Sequence, residues 1–248
     1  MRRKKNKKYK KAILNLILYI ILLSILIYSG IKIFKWHKDK TNNNKIVEQI
    51  KSAVIVEEKN KDEYTVDFNR LKEQNNETIA WLKVNNTNIE YPVVKGTNNS
   101  FYLNHSFDKS NNSAGWIFAD YRNKFDNTDK NIVIYGHNMR DGSMFGSMLN
   151  ILDAKWYENE ENTNITLYTE NEKCIYKVFS IYKIENEDYY IKTEFKNDNE
   201  FEEFVKNLKK RSIKDFNVDI SKDDNILTLS TCANNNKYRI VLHAIKEK

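Results

Sequence analysis

The run Thr228-Leu229-Ser230-Thr231-Cys232 is followed, seven residues after the cysteine, by Arg239. Ile226, Leu227 and Leu229 give the first segment the character of a strand, and Ile240-Val241-Leu242 do the same behind the arginine. The pattern predicts two strands joined by a short connection from Ala233 to Tyr238, with Cys232 ending the first and Arg239 opening the second. Both side chains would then stand at one end of a sheet. A thiol beside a fixed cation is an activated nucleophile, because positive charge favours the thiolate. Taken alone, the two residues read more readily as a small buried cysteine and a solvated arginine.

A proton-transfer partner is found among four histidines. His37 follows a long apolar run, His105 lies in a polar loop, and His243 falls inside the last strand, where a structural role is expected. His137 stands apart. It follows the buried-type strand Asn131-Ile132-Val133-Ile134-Tyr135-Gly136 and precedes the loop Asn138-Met139-Arg140-Asp141-Gly142. A histidine at the C-terminal end of a strand, released by Gly136, would project into a cleft. A reference thiol titrates near pH 8.5 and an imidazole near 6.5, so thiolate and imidazolium together are a minority form at neutral pH, at about these values. Cys174, in the strand-like run Lys173 to Tyr182, reads as a small core residue. A bridge between the two cysteines remains an alternative, since an exported chain permits one.

Export follows from the N-terminus. Residues Ala12 to Ile31 carry no charge and are mostly Ile and Leu, with Asn15 and Ser24 among the few polar interruptions. Twenty such residues at about 1.5 Å each span a hydrocarbon core of about 30 Å. Arg2, Arg3, Lys4, Lys5, Lys7, Lys8, Lys10 and Lys11 precede them without an anion, which orients the N-terminus to the cytoplasm. A cleaved signal peptide is the alternative, disfavoured by the length of the apolar run and the lack of an Ala-x-Ala site. This tail carries +8 against a net charge of +7 for the whole chain, so the rest is close to neutral. The basic balance therefore carries no implication of nucleic-acid binding. The expected organisation is a basic cytoplasmic tail over 1–11, a transmembrane anchor over 12–34, a stalk over 35–65 and an extracellular domain over 66–248.

Within that domain Asp67 is a candidate cap for a helix carrying Phe68 and Leu71, and Ile79, Trp81 and Leu82 read as a further turn of the same pattern. In the stalk, Ile46, Ile50, Ala53 and Val54 recur at helical spacing. Strands are expected at 89–94, where Pro92 signals an edge or bulge, and at 115–119, 132–135, 165–168, 174–184, 226–230 and 239–245. Phe201, Phe204, Val205 and Leu208 form one apolar stripe on a helix over 199–212. Short strands with one or two inserted helices predict a mainly β fold built as a barrel.

Tyr135-Gly136-His137 and Thr228-Leu229-Ser230-Thr231-Cys232, with Arg239 after them, resemble the signature of the sortases, the membrane-anchored cysteine transpeptidases of Gram-positive bacteria. Asn88 to Val94, Asp120-Tyr121-Arg122-Asn123, Met144-Phe145-Gly146 and the helix before the cysteine strand resemble class B in particular. The resemblance implies a closed barrel of about eight strands with an N-terminal helix and an inserted helix before the catalytic strand.

It also implies a reaction. Cys232 attacks a peptide carbonyl in the C-terminal sorting signal of a secreted protein, and His137 protonates the leaving amine. Arg239 donates to the oxyanion or positions the peptide. An amine of a peptidoglycan precursor or cross-bridge then resolves the thioester, with no ATP, metal or cofactor required. The class B likeness implies a signal of the Asn-Pro-x-Thr type cut after Thr, and places Asn99, Tyr190, Ile191 and Ser230 along the peptide groove. Glu187 and Asp188 form no convincing calcium site. A secreted cysteine peptidase, with water as acceptor, would use the same residues. An anchored adhesion or sensor ectodomain would have no reactive thiol, and an L,D-transpeptidase would need a histidine- and glycine-containing cysteine motif that is absent here.

Overall fold

The computed structural model describes residues 2–60, 63–185, 187–232 and 237–247. The expected connection after Cys232 lies, over 233–236, outside the described residues, as do the side chains of Cys232 and of Arg2, Arg3, Lys4, Lys5 and Lys7 in the basic tail. The chain forms two compact units, Met1–Asn44 and Lys45–Lys248.

Helix α1 runs Arg2–Val54. Within the first unit its apolar side chains are unburied, Ile17, Leu22 and Leu26 among them. This helix is long and apolar enough to cross a membrane. Ser24 returns its hydroxyl to the Ile20 carbonyl at 2.8 Å, so that polar interruption is satisfied inside the helix.

The second unit begins with the end of α1, where Ile50 is fully buried and Ile46 packs against the core. A hairpin of β1 (Ile55–Asn60) and β2 (Glu63–Val66) follows, then α2 (Phe68–Gln74). Asp67 caps α2 as expected, accepting from the Arg70 N–H, and Phe68 and Leu71 are buried. Next come β3 (Thr78–Val84), β4 (Glu90–Val94), β5 (Phe118–Ala119), β6 (Asn131–His137), α3 (Ala154–Tyr157), β7 (Asn164–Tyr168), β8 (Lys173–Glu185), α4 (Asp198–Arg211), β9 (Ile226–Cys232) and β10 (Tyr238–Lys246). Eight strands close a barrel in the order β10-β8-β7-β3-β4-β5-β6-β9.

Two expectations change. Ile79, Trp81 and Leu82 belong to strand β3, not to a helical turn; Trp81 and Leu82 are both fully buried, so the residues lack the polar alternation that would have marked a strand. The strand expected over 115–119 shrinks to two residues. Gly115 has φ +58°, and the Trp116 N–H turns to the Tyr102 carbonyl. Pro92 lies in β4 opposite Trp81, and on its other side β4 is paired only at Val94 with Phe118. The proline's missing N–H therefore interrupts no long ladder.

A bulge at Phe179 divides β8. Before it Cys174, Tyr176 and Val178 face the barrel core; after it Tyr182 and Ile184 join a second cluster with Phe201, Phe204, Val205 and Leu208 of α4. One extra residue swaps the faces of a strand, and here it opens a seat for the inserted helix. Asn197 caps α4, and Asp198 and Glu200 at its start with Lys209, Lys210 and Arg211 at its end complement the helix dipole.

Between these clusters runs a buried polar chain. Tyr189 donates to the Tyr182 hydroxyl at 3.0 Å, and Tyr182 lies 2.8 Å from His243 Nε2. His243 Nδ1 meets Thr228 Oγ1 at 2.9 Å, and Thr228 donates to Asn131 Oδ1 at 2.7 Å. Because the Thr228 proton is committed to Asn131, His243 carries its proton on Nδ1 and accepts from Tyr182 on Nε2. Asn131 Nδ2 ends the chain on the carbonyls of Tyr190 and Lys192. His243 is therefore structural.

Burial pushes the His243 imidazole down to about 3. The unfolded chain protonates it near 6.5, so this residue's contribution is complete above about pH 6.5 and is lost as pH falls toward its native value, at about 1.4 kcal/mol per pH unit. His243→Gln is expected to flatten the acid limb of a plot of thermal stability against pH. An unchanged slope between pH 6 and 4 contradicts the buried neutral imidazole.

Candidate active site

The site forms where three strands end together. Strands β6 and β9 pair in parallel through seven residues, from Asn131↔Ile226 to His137↔Cys232. His137 therefore stands directly beside Cys232 in the ladder. Strand β10 pairs antiparallel with β9, and its register Val241↔Ser230, carried two residues toward the hairpin end, sets Arg239 level with Cys232. Thr231 ties this corner: its hydroxyl accepts the Ile240 N–H at 2.9 Å, and its carbonyl accepts Arg239 Nη1 at 3.3 Å.

Gly136 does not release the histidine from its strand, as the sequence had suggested, since pairing continues through His137. Its lack of a side chain serves packing. A Cβ there would lie 2.5 Å from Ile117 Cδ1 and 2.7 Å from Phe145 Cγ. Beyond the strand, the His137 carbonyl accepts from the N–H groups of Met139 and Phe145, which folds the following loop back.

The imidazole of His137 is oriented by backbone. Its Nε2 lies 2.6 Å from the carbonyl oxygen of Leu103, at the end of the 3-10 turn Phe101–Leu103. A carbonyl only accepts, so Nε2 carries the proton and Nδ1 holds the lone pair of the neutral ring. Nδ1 is buried and has no hydrogen-bond partner among the described residues. Gly115 is the third part of this arrangement. A Cβ on it would fall 2.9 Å from both His137 Cδ2 and the Leu103 carbonyl oxygen, at a φ that disfavours any other residue.

A cleft of about 320 Å³ opens beside His137 and Arg239. Asn99 and Leu103 line one part, Phe118 and Tyr135 another, and Tyr190 and Ile191 a third. Of the groove residues expected from sequence, Asn99, Tyr190 and Ile191 are thus brought together with His137 and Arg239. Ser230 is not: it is fully buried, and its hydroxyl lies 2.9 Å from that of Tyr190. It reaches the cleft only through that tyrosine. Glu187 and Asp188 also line the cleft, with Glu187 3.5 Å from Arg211.

Asn99 donates from Nδ2 to Asp120 Oδ2 at 2.9 Å and accepts the Tyr121 N–H at 3.0 Å. Both partners have fixed polarity, so the amide has one orientation and keeps one N–H for the cleft. Burial raises the Asp120 carboxyl, but the Arg122 guanidinium, the Tyr135 hydroxyl and Asn99 outweigh it and hold the group below the usual carboxylate range. Burial, then the Asp120 charge, push the Tyr135 phenol well up, so it stays a donor.

Sequence reasoning missed Leu103, Gly115 and the roles of Asp120 and Tyr135. The first acts through a backbone carbonyl, which leaves no mark on residue type. The Asp-Tyr-Arg stretch did carry a signal, a charged pair placed directly after the apolar run Trp116 to Ala119.

The fold has close counterparts. A family model described as the Sortase domain matches residues 82–247. Sortase B of Listeria monocytogenes serovar 1/2a is 32% identical over 236 residues, covering 92% of this chain and 93% of that protein. The structure of a Staphylococcus aureus sortase B–substrate complex superposes with a TM-score of 0.73 at 28% identity, over 87% of this chain and 99% of that one. A sortase B crystallised with triglycine superposes equally well, with a TM-score of 0.73 at 30% identity, over 86% of this chain and 98% of that one. The chain belongs to the sortase family and, within it, to class B, the cysteine transpeptidases.

Proposed function

We propose that this sortase cuts an Asn-Pro-x-Thr sorting signal after its threonine and joins the acyl fragment to an amine of peptidoglycan or its precursor. The observation that carries the reading is the pairing of His137 with Cys232 at the rim of a cleft that also holds Arg239. The structures of related sortases with substrate and with triglycine support this reading of a peptide substrate and an amine acceptor.

In this reading the Cys232 thiolate adds to the threonine carbonyl. The oxyanion takes hydrogen bonds from the Arg239 guanidinium, a fork an ammonium does not offer. Collapse breaks the C–N bond, and His137 Nδ1–H passes its proton to the departing amine, leaving a thioester. Nε2–H remains on Leu103 throughout, so one nitrogen holds the ring while the other moves the proton. The acceptor amine then attacks the thioester, neutral Nδ1 takes the amine's proton, and Cys232 leaves as thiolate. Asn99 offers its remaining amide N–H to the first residue of the signal, and Tyr190 with Ile191 forms the apolar wall for the proline. Ser230 holds the Tyr190 hydroxyl.

The chain is read as cytoplasmic over 1–11, spanning the cell membrane over 12–34, a stalk over 35–65 and extracellular over 66–248. The eight cations before the apolar run support this orientation. Protease added to intact protoplasts should remove 66–248 and spare the tail; a protected ectodomain contradicts it.

The activity is tested with two fluorogenic peptides that differ only in Asn or Leu at the first position, with and without an added amine. A leucine leaves a polar group unpaired at a cost of about 1–3 kcal/mol, so kcat/KM should favour the Asn peptide by about 5- to 150-fold. A ligated product should outrun hydrolysis when amine is present. Cys232→Ala should abolish turnover, His137→Ala should lower it by about 10²- to 10⁴-fold, and Arg239→Lys should be strongly impaired. Equal use of the two peptides contradicts the signal type, hydrolysis alone contradicts transfer to an amine, and an active Cys232→Ala contradicts the nucleophile.

A further inference from the structure

The cleft has walls from three separate parts of the chain, and one buried carboxylate touches two of them and reaches the third through Arg122. Asp120 lies just after β5, is fully buried and does not line the cleft. Its Oδ2 accepts from Asn99 Nδ2 at 2.9 Å, from the Tyr135 hydroxyl at 2.8 Å and from Arg122 Nη2 at 2.8 Å. Its Oδ1 accepts Arg122 Nε at 2.8 Å and the Arg122 N–H at 3.0 Å. Arg122 Nη2 also donates to the Ile191 carbonyl at 2.9 Å. Asn99, Tyr135 and Ile191 all line the cleft. The pair is bidentate and short, which fixes geometry as well as charge.

We infer that Asp120 and Arg122 are positioning residues that set the peptide groove. Asp120 dictates which way the Asn99 amide faces, and Arg122 carries the same constraint across to the backbone of Ile191. Neither touches the reacting atoms. The inference rests on the reading of this cleft as the peptide site.

The consequence is directional. With Asp120→Asn, the new amide N–H would confront Asn99 Nδ2, the Tyr135 hydroxyl or the guanidinium, each of them a donor. Asn99 is then free to turn over and lose its bond from the Tyr121 N–H. Arg122→Lys keeps the charge beside Asp120 but has no fork to span Asp120 and the Ile191 carbonyl together. The first substitution should blur recognition at the first position of the signal, and the second should loosen the opposite wall while leaving that recognition intact.

The experiment uses the full chain in detergent, with the paired Asn-first and Leu-first peptides and with amide hydrogen exchange in the absence of peptide. For Asp120→Asn, KM for the Asn-first peptide should rise about tenfold with kcat within about twofold, and the preference over the Leu-first peptide should fall by about fivefold or more. Arg122→Lys should raise KM for both peptides alike. Without peptide, exchange at the Tyr121 amide should quicken by about tenfold in Asp120→Asn, measured against strand β8 as an internal standard. An unchanged KM, a fall confined to kcat, or exchange that rises equally in β8 would overturn the inference. Should Asp120→Asn fail to fold, Arg122→Lys decides by its own expected reading, an equal rise in KM for both peptides, and an unchanged KM overturns the inference. If the unaltered chain cleaves neither peptide, the reading of the cleft fails, and the Tyr121 exchange still decides whether Asp120 holds Asn99.

Discussion

The parallel pairing of β6 with β9 is the constraint on which the site depends. Two strands joined by a hairpin run in opposite directions, so their C-terminal ends lie at opposite ends of the ladder. Parallel strands end together, but only if a long crossover returns the chain. Here β7, β8 and α4 lie in that crossover, and it brings His137 level with Cys232. A hairpin then suffices for the third residue, because β10 runs antiparallel to β9 and starts where β9 ends. The proposed nucleophile, proton carrier and cation thus share one rim without a contiguous motif.

A shared rim places backbones and leaves side-chain direction to be set by neighbours. The Leu103 carbonyl and the absent side chain of Gly115 set the plane of the His137 ring. The wall across the cleft is set by polar groups. The carbonyls of Tyr190, Ile191 and Lys192 are each taken by a side chain from the barrel, Asn131 or Arg122, and the Tyr189 and Tyr190 hydroxyls are bonded to Tyr182 and Ser230. Such bonds add little each, about 0.5–1.5 kcal/mol net, but leaving one end buried and unmatched costs about 1–3 kcal/mol. That asymmetry favours one arrangement of the wall over its alternatives.

Much of this could be read from residue order. The strands at 165–168, 174–184 and 226–230, the α4 stripe and the Asp67 cap all rest on local periodicity or local hydrogen bonding. The placement of His137, Cys232 and Arg239 at strand ends was legible because a strand end has a pattern of its own. What escaped was non-local. Strand β3 is buried on both faces and so lacks alternation. The strand expected at 115–119 gives way because Trp116 bonds to Tyr102, a partner no local pattern announces. Ser230 matched a groove position, yet lies behind Tyr190 of the turn Tyr189–Ile191, whose hydroxyl it bonds.

The central claim is that His137 sits beside Cys232 with its Nε2–H committed to Leu103, leaving Nδ1 to move the proton. The most direct measurement is the imidazole ¹⁵N spectrum of His137 in the neutral form. The account predicts a proton coupled to Nε2 and a bare Nδ1. A neutral ring protonated at Nδ1 would contradict it.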